Sequence, residues 1–226
     1  KEPDGIVEEN NNPTLQRANS LKRIELSYDE HFNAIKDADD DDFIMLSDND
    51  EIPNLDSEDF KKNKNDIVIF NQLFFYFKFN LLYDRMLWPG TKGCRKKNLK
   101  SFSWLRNIKF KKYPIWRIDT YFSNTKYSNL NIINDGGWHF TNLKSPEDMF
   151  EKFMNFGHHD EFKLSGITVD KIRDKISKRE MFYDHFADKS SKNKWDSDYK
   201  LKKIDTDLLP RYLASNREKY LEWFDI

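Results

Sequence analysis

Three carboxylates, Asp48, Asp50 and Glu51, follow directly on the four apolar residues Phe43, Ile44, Met45 and Leu46 in the segment FIMLSDNDEIPN. Two of them, Asp48 and Asp50, are hard oxygen donors that suit a divalent cation that also holds phosphate oxygens. A short continuous apolar run fits a strand buried on both faces. Alternation along such a strand would carry Asp48 and Asp50 to the same side of a sheet edge. Pro53 cannot continue a central strand, so the chain must turn where the carboxylates sit. The acidic run 39–42 just upstream reads instead as a loop entering the strand, with no role beyond solubility.

A second constellation occupies residues 135–162, DGGWHFTNLKSPEDMFEKFMNFGHHDEF. Gly136 and Gly137 permit a tight bend or a close approach of backbone to a ligand. Trp138 offers a flat face for stacking on a sugar ring, and His139 could donate to a phosphate or bind a metal. His158, His159, Asp160 and Glu161 cluster after a helix, and one carboxylate among them could take a proton from a hydroxyl nucleophile. Each of these has a plainer reading: a turn, a core Trp, a solvated helix end. Their order after the acidic segment is what favours a site. His185, within MFYDHF, could supply a further metal ligand, although a structural His is the commoner case.

The elements that must position these residues follow from periodicity and punctuation. Residues 1–20 are polar and Asn-rich and read as loop. Residues 21–38 carry Leu21, Ile24, Tyr28, Phe32 and Ile35 at helical spacing. Residues 66–82 are β-branched and aromatic and read as strand, as do 113–121 and 129–134. Ser145-Pro146-Glu147 opens a helix to about Phe156, with Ser as cap and Pro in the first turn. Thr168 caps another over 168–178, and 209–223 reads as helix after Pro210. Strands alternating with helices imply an α/β class with a mixed sheet flanked by helices.

Composition sets the bounds. The 226 residues carry 19 Phe, 10 Tyr and 6 Trp against 7 Gly, which implies a single domain with an aromatic core. The single Cys94 excludes an internal disulfide and a cysteine-based zinc site. No run approaches the roughly 18 apolar residues of a membrane span. No signal peptide is visible, and the chain reads as cytoplasmic. The opening KEPDGIVEENNNP has no Met and reads as the start of a fragment. Net charge is −1, yet residues 1–66 hold 19 acidic and 8 basic side chains, and residues 92–112 hold nine basic and none acidic. With Phe102, Trp104 and Tyr113 interleaved, the basic segment could bind phosphates. Nucleic acid is one such partner, but no nucleic-acid module accompanies it. A donor diphosphate, an anionic glycan, or a lipid-linked acceptor met peripherally at the inner membrane fits as well, as does a plain solvated loop.

SDNDEIPN, then GGWHF, then a helix ending near an aromatic with His and Glu, resembles glycosyltransferase family 17, from about Asp42 to the C-terminal LPRYLASNREKY. The resemblance implies a GT-A fold, a Rossmann-like sheet with the Asp-x-Asp at a strand end, here lacking its first β-α-β part. It implies inverting transfer of a sugar, GlcNAc from UDP-GlcNAc above all, to a glycan or glycoconjugate hydroxyl. On it, Asp48 and Asp50 hold the metal, manganese or magnesium, Glu51 contacts the substrate, and Gly136, Gly137, Trp138 and His139 form a loop beneath the donor sugar. Glu161 or Asp160 is the base, because the His-x-Glu element fits both as His159-x-Glu161-Phe162 and as His158-x-Asp160. The helix before the acidic strand, IELSYDEHF, lacks the family's Gln-Arg pair. A carbohydrate-binding protein without activity, or a phosphoesterase using Asp48, Asp50 and His139 with two metals about 4 Å apart, are the alternatives.

Overall fold

A computed structural model describes residues 2–7, 12–155, 159–186, 192–195 and 197–226, of which 13, 29, 159, 160, 192 and 193 are described in backbone only. In chain order the elements are α1 (Pro13–Asp29), β1 (Phe43–Leu46), β2 (Glu51–Pro53), α2 (Glu58–Lys61) and β3 (Ile67–Tyr76). There follow β4 (Leu81–Leu82), β5 (Trp88–Arg95), α3 (Phe102–Asn107), β6 (Leu130–Ile133) and β7 (Gly137–Thr141). The remainder is α4 (Pro146–Asn155), α5 (His159–Ser165), α6 (Val169–Ser177), β8 (Lys202–Lys203) and α7 (Arg211–Ser215). The fold is mixed α/β. It divides into two compact units, Lys1–Asn71 with Pro89–Gly136, and Gln72–Trp88 with Gly137–Ile226. Among the described residues no helix is long and apolar enough to cross a membrane.

In the first unit, β1 pairs antiparallel with β5, Phe43 opposite Arg95 and Leu46 opposite Lys92. The first half of β3 runs parallel to β6, Ile67 opposite Leu130 and Phe70 opposite Ile133. Alternation sorts the side chains. Ile44 and Leu46 join Ile67, Ile69, Cys94 and Leu130 on one face, closed by Phe102, Leu105 and Ile108 around α3. Phe43 and Met45 pack on the other face against Val68, Phe70 and Ile133. The apolar run 43–46 is therefore a strand covered on both faces, as its composition requires. Gly93 sits opposite Met45, where a Cβ would come within 2.5 Å of the Phe43 ring.

In the second unit, the last residues of β3 run parallel to β7, Leu73 opposite Trp138 and Tyr76 opposite Thr141. Phe75 faces Leu82 of β4, which pairs in turn with β8. Phe74 and Tyr76 point to a core built with Met149 and Phe153 of α4, Phe162 of α5 and Ile172 of α6. Phe75 and Phe140 point the other way, to Ile204, Leu209, Leu213 and Phe224. The caps of α4 and α6 act as their sequences imply: Ser145 Oγ accepts from Asp148 N–H at 3.1 Å, and Thr168 Oγ1 from Lys171 N–H at 3.2 Å.

Four local expectations are corrected. The first helix begins at Pro13, eight residues before 21, because Asn12 caps it by accepting from Thr14 and Leu15 N–H, and it gives way after Asp29 to a 3-10 turn over Glu30–Ile35. Residues 113–121 form no strand: backbone bonds from Arg117 N–H to the Pro114 carbonyl and from Thr120 N–H to the Arg117 carbonyl coil them into turns. The stretch 209–223 is helical only over Arg211–Ser215, then a 3-10 helix interrupted at Tyr220. GGWHF is not a loop. Gly137–Thr141 is strand β7, since Trp, Phe and Thr favour a pleated, half-buried surface.

Gly136 shows why glycine precedes that strand. Its N–H donates to the Asn71 carbonyl at 3.2 Å, and a Cβ there would meet the Asn71 backbone nitrogen at 2.3 Å and its oxygen at 2.7 Å. Backbone cannot swing aside as a side chain can. Gly136→Ala is expected to destabilise the fold by at least about 1–3 kcal/mol, the range for overpacking a tight site. A lowered midpoint in chemical denaturation checks it.

Candidate functional site

The acidic segment is a turn tied to its surroundings through Thr91, Arg106 and Tyr28. β1 ends at Leu46 and β2 begins at Glu51, so Asp48 and Asp50 lie in the connection rather than on one side of a strand, as alternation alone would have put them. The turn closes on itself: Glu51 N–H donates to the Asp48 carbonyl at 3.0 Å, and Asp48 N–H donates to Glu51 Oε2 at 3.2 Å. Ser47 Oγ lies 2.6 Å from Thr91 Oγ1 of β5, which fixes the turn to the neighbouring strand.

Two cations from the basic segment complete the cluster. Ser101 caps α3 by accepting from Trp104 N–H at 2.9 Å, and Phe102 and Leu105 anchor that helix in the core. Arg106, in its last turn, then reaches the acidic turn. Its Nη2 donates to Asp48 Oδ2 at 2.7 Å, and its Nη1 is 4.0 Å from Glu51 Oε1. Lys92, opposite Leu46 on β5, is buried and donates from Nζ to the carbonyls of Arg106 (2.5 Å) and Ile108 (2.7 Å). It thereby satisfies carbonyls at the C-terminal end of α3, where a cation is favoured. Tyr28, one residue from the end of α1, donates from its hydroxyl to Asp48 Oδ1 at 3.3 Å.

Burial grades the chemistry of these groups. The Glu51 side chain is 1 % exposed, whereas Asp48 and Arg106 are each about one-third open to solvent, at 32 % and 31 %. Glu51 was expected to meet a ligand; it faces inward instead, where the Asp48 N–H and Arg106 neutralise it, and it shapes the turn. Asp48 and Arg106 are the exposed, charged pair. Burial opposes the Arg106 charge, but Asp48, Tyr28 and Glu51 outweigh it and hold its pKa above the ordinary value. The Tyr28 phenol is raised by burial, with Asp48 adding to the effect and Arg106 opposing it. Lys92 is pushed down to about 8 by burial first and by Arg106 second, with Glu51 opposing.

The other expected site residues lie in the second unit. Gly137, Trp138 and His139 sit on β7, where Trp138 is half-buried and its Nε1–H donates to the Leu208 carbonyl at 2.6 Å. His139 is buried between rings, stacked 4.5 Å from Trp88 and 4.9 Å from Phe74 between centroids. His185 lies among the rings of Phe74, Tyr76, Tyr83 and Tyr183. Burial, reinforced by His139 against an opposing Asp184, pushes its pKa down to about 4, so it is neutral at physiological pH. Glu161 of α5 forms an ion pair with the buried Lys194 and is 39 % exposed. His158 and the side chains of His159 and Asp160 lie outside the described residues. Among the described residues no three His, Cys, Asp or Glu side chains are already gathered as a metal site.

The sequence named Asp48, Asp50 and Glu51 but did not reveal Arg106 and Tyr28 as partners of Asp48, or Lys92 as the residue that ties down the end of α3. The signal was present in part: nine basic residues without an acid over 92–112. No family model, curated protein or solved structure matches this chain.

The Lys92 environment has a pH consequence. Its pKa falls from an ordinary 10.5 to about 8 on folding, so between those values the unfolded chain binds more protons than the folded one. Stability contributed at this residue must therefore rise as pH goes from about 8 to 10.5, and the neutral amine still has N–H groups for both carbonyls. Lys92→Met removes that increment. Melting temperatures of the two proteins across this range should show a shallower rise, or a steeper fall, in the variant.

Proposed function

We propose that this chain is an inverting glycosyltransferase of GT-A type that moves a sugar, GlcNAc foremost, from its UDP donor to a glycan or glycoconjugate hydroxyl. The observation that carries the reading is the acidic turn at the end of the buried strand β1, with Asp48 partly exposed and paired to an equally exposed Arg106. The resemblance of SDNDEIPN and GGWHF to glycosyltransferase family 17 supports it independently of the geometry.

A divalent cation fits the donor set. Asp48 and Asp50 are hard oxygen donors in one turn, and a carboxylate has about four acceptor sites, of which Arg106 and Tyr28 take two on Asp48. With few protein ligands, the cation would complete its sphere with water and phosphate oxygens. Bound there, it would supply Lewis-acid neutralisation of the charge on departing UDP. The chain's own residues then divide the work. Glu51 holds the turn in shape from inside. Arg106 offers a fork of donors matched to phosphate oxygens, beside the carboxylate it pairs in the resting protein. Lys92 locks the end of α3 and so the position of Arg106. Glu161, which pairs with Lys194, or Asp160 as the alternative, is the group we assign to take the proton from the attacking hydroxyl.

The first test is calorimetry of UDP-GlcNAc binding with and without manganese. Binding that needs manganese, is lost in Asp50→Ala and weakens about 10- to 100-fold in Arg106→Ala would match a charge-assisted, desolvated contact. No binding by the unsubstituted chain would sink the transferase reading. A chain that binds the donor should then lose about 10²- to 10⁴-fold in kcat on Glu161→Gln with donor affinity unchanged. Donor binding without turnover on any acceptor would favour the carbohydrate-binding alternative.

A further inference from the structure

The stretch replacing the expected strand at 113–121 exposes more apolar surface than any other described segment. Ile115, Trp116, Ile118, Tyr121 and Phe122 are between 69 % and 86 % exposed. Five such side chains within eight residues are far from the scattered surface apolars of an ordinary protein. Exposure this high belongs to a protruding tip, not to the floor of a groove.

The tip is held open by a built base. Lys109 N–H donates to the Thr125 carbonyl at 2.8 Å and Tyr113 N–H to the Tyr127 carbonyl at 3.2 Å, closing the loop at its neck. Within it, the Tyr121 hydroxyl donates to the Ile115 carbonyl at 3.0 Å. Asp119 is the one acid in 109–126, against five basic residues. Both its oxygens accept from Arg117, at 2.7 and 2.8 Å, and one accepts from Lys126 at 2.7 Å. The Tyr113 ring faces the cationic heads of Lys111, Arg117 and Lys126 at 5.3 to 5.9 Å. Lys109, Lys111 and Lys112 at the neck are exposed. The result is an apolar, Trp- and Tyr-bearing tip above a collar of net charge +4 over 109–126.

We propose that the 113–127 loop is a membrane-docking element that seats Trp116, Phe122 and their apolar neighbours in the interfacial layer of an anionic bilayer. Trp and Tyr prefer the headgroup level, where one end of the ring is apolar and the other wet. The basic collar meets the negative surface potential of acidic lipids, and neither signal alone anchors a protein firmly. This inference goes beyond the transferase reading and does not rest on it.

The test sediments the full chain with phosphatidylglycerol–phosphatidylcholine vesicles and, separately, with phosphatidylcholine alone. The expected result is binding to the anionic vesicles that weakens with salt. Binding should fall at least about tenfold both in Trp116→Ser/Phe122→Ser and in Lys111→Glu/Lys112→Glu. Because all four side chains are exposed, melting temperatures should stay unchanged, which separates lost docking from misfolding. Trp116→Phe should still pellet but lose the blue shift in tryptophan emission that vesicles cause in the unsubstituted chain. Three results would overturn the proposal: no pelleting with anionic vesicles, equal pelleting of the Trp116→Ser/Phe122→Ser protein, or pelleting indifferent to lipid charge. Self-association abolished by Trp116→Ser/Phe122→Ser, without vesicle binding, would assign the tip to a second copy of the chain instead.

Discussion

The burial of β3 is the constraint on which the remaining architecture depends. Nine of its ten residues are buried, and a buried strand must satisfy its N–H and C=O groups along both edges. In the first unit its edges are taken by β5 and β6, in the second by β4 and β7. Its side chains alternate so strictly that Ile67 and Ile69 enter one core and Val68 and Phe70 another. Phe74 and Tyr76 are separated from Phe75 in the same way. A slip of one residue would exchange all of these at once. Gly136 shows the closeness this demands, since its backbone runs against that of Asn71 with no room for a methyl group.

Around the acidic turn the controlling quantity is the cost of burying the Glu51 carboxyl group inside the protein. A buried carboxylate is tolerated only when paired and hydrogen-bonded, and here the Asp48 N–H and Arg106 serve it together. The arrangement couples the exposed part of the cluster to the buried part. Arg106 cannot leave Asp48 without altering the field at Glu51, and Lys92 cannot move without freeing the carbonyls that end α3. A ligand anion drawn to Arg106 would therefore act on the whole turn, and the rigidity of the turn is what would let it choose one pose.

What the sequence revealed and what it withheld divide along the range of the interactions involved. The strand at 43–46, α4 and α6 rest on local signals: an apolar run, Ser145 with Pro146, Thr168 as cap. The Asn12–Pro13 cap of α1 is equally local but was hidden in a polar, Asn-rich stretch without an apolar stripe. Gly-Gly before Trp138 suggested a loop, because the pairing of Trp138 with Leu73 comes from far along the chain. Arg106 could not be told from solvated cations near it, since what singles it out is Asp48, 58 positions away. At 113–121 composition misled outright. Tyr, Ile, Trp and Phe are strand formers, and only the three-dimensional neighbourhood reveals that, among the described residues, Tyr113 alone meets a facing backbone, at Tyr127, and the rest turn.

That last failure is itself informative about the loop. A segment with strong β-propensity and high apolar content collapses or aggregates unless something prevents it. Here the restraint is electrostatic and geometric. Single exposed ion pairs are worth little, but Arg117, Asp119 and Lys126 form a joined network across the loop, beside Tyr113 and its three facing cations. Backbone turns use the N–H groups that a strand edge would offer to a neighbour. Asp119 stays ionised in that network, with Arg117 and Lys126 offsetting its charge, and Lys109, Lys111 and Lys112 supply the excess positive charge of the collar. One set of contacts thus fixes the turns and leaves the apolar side chains exposed above the charged collar.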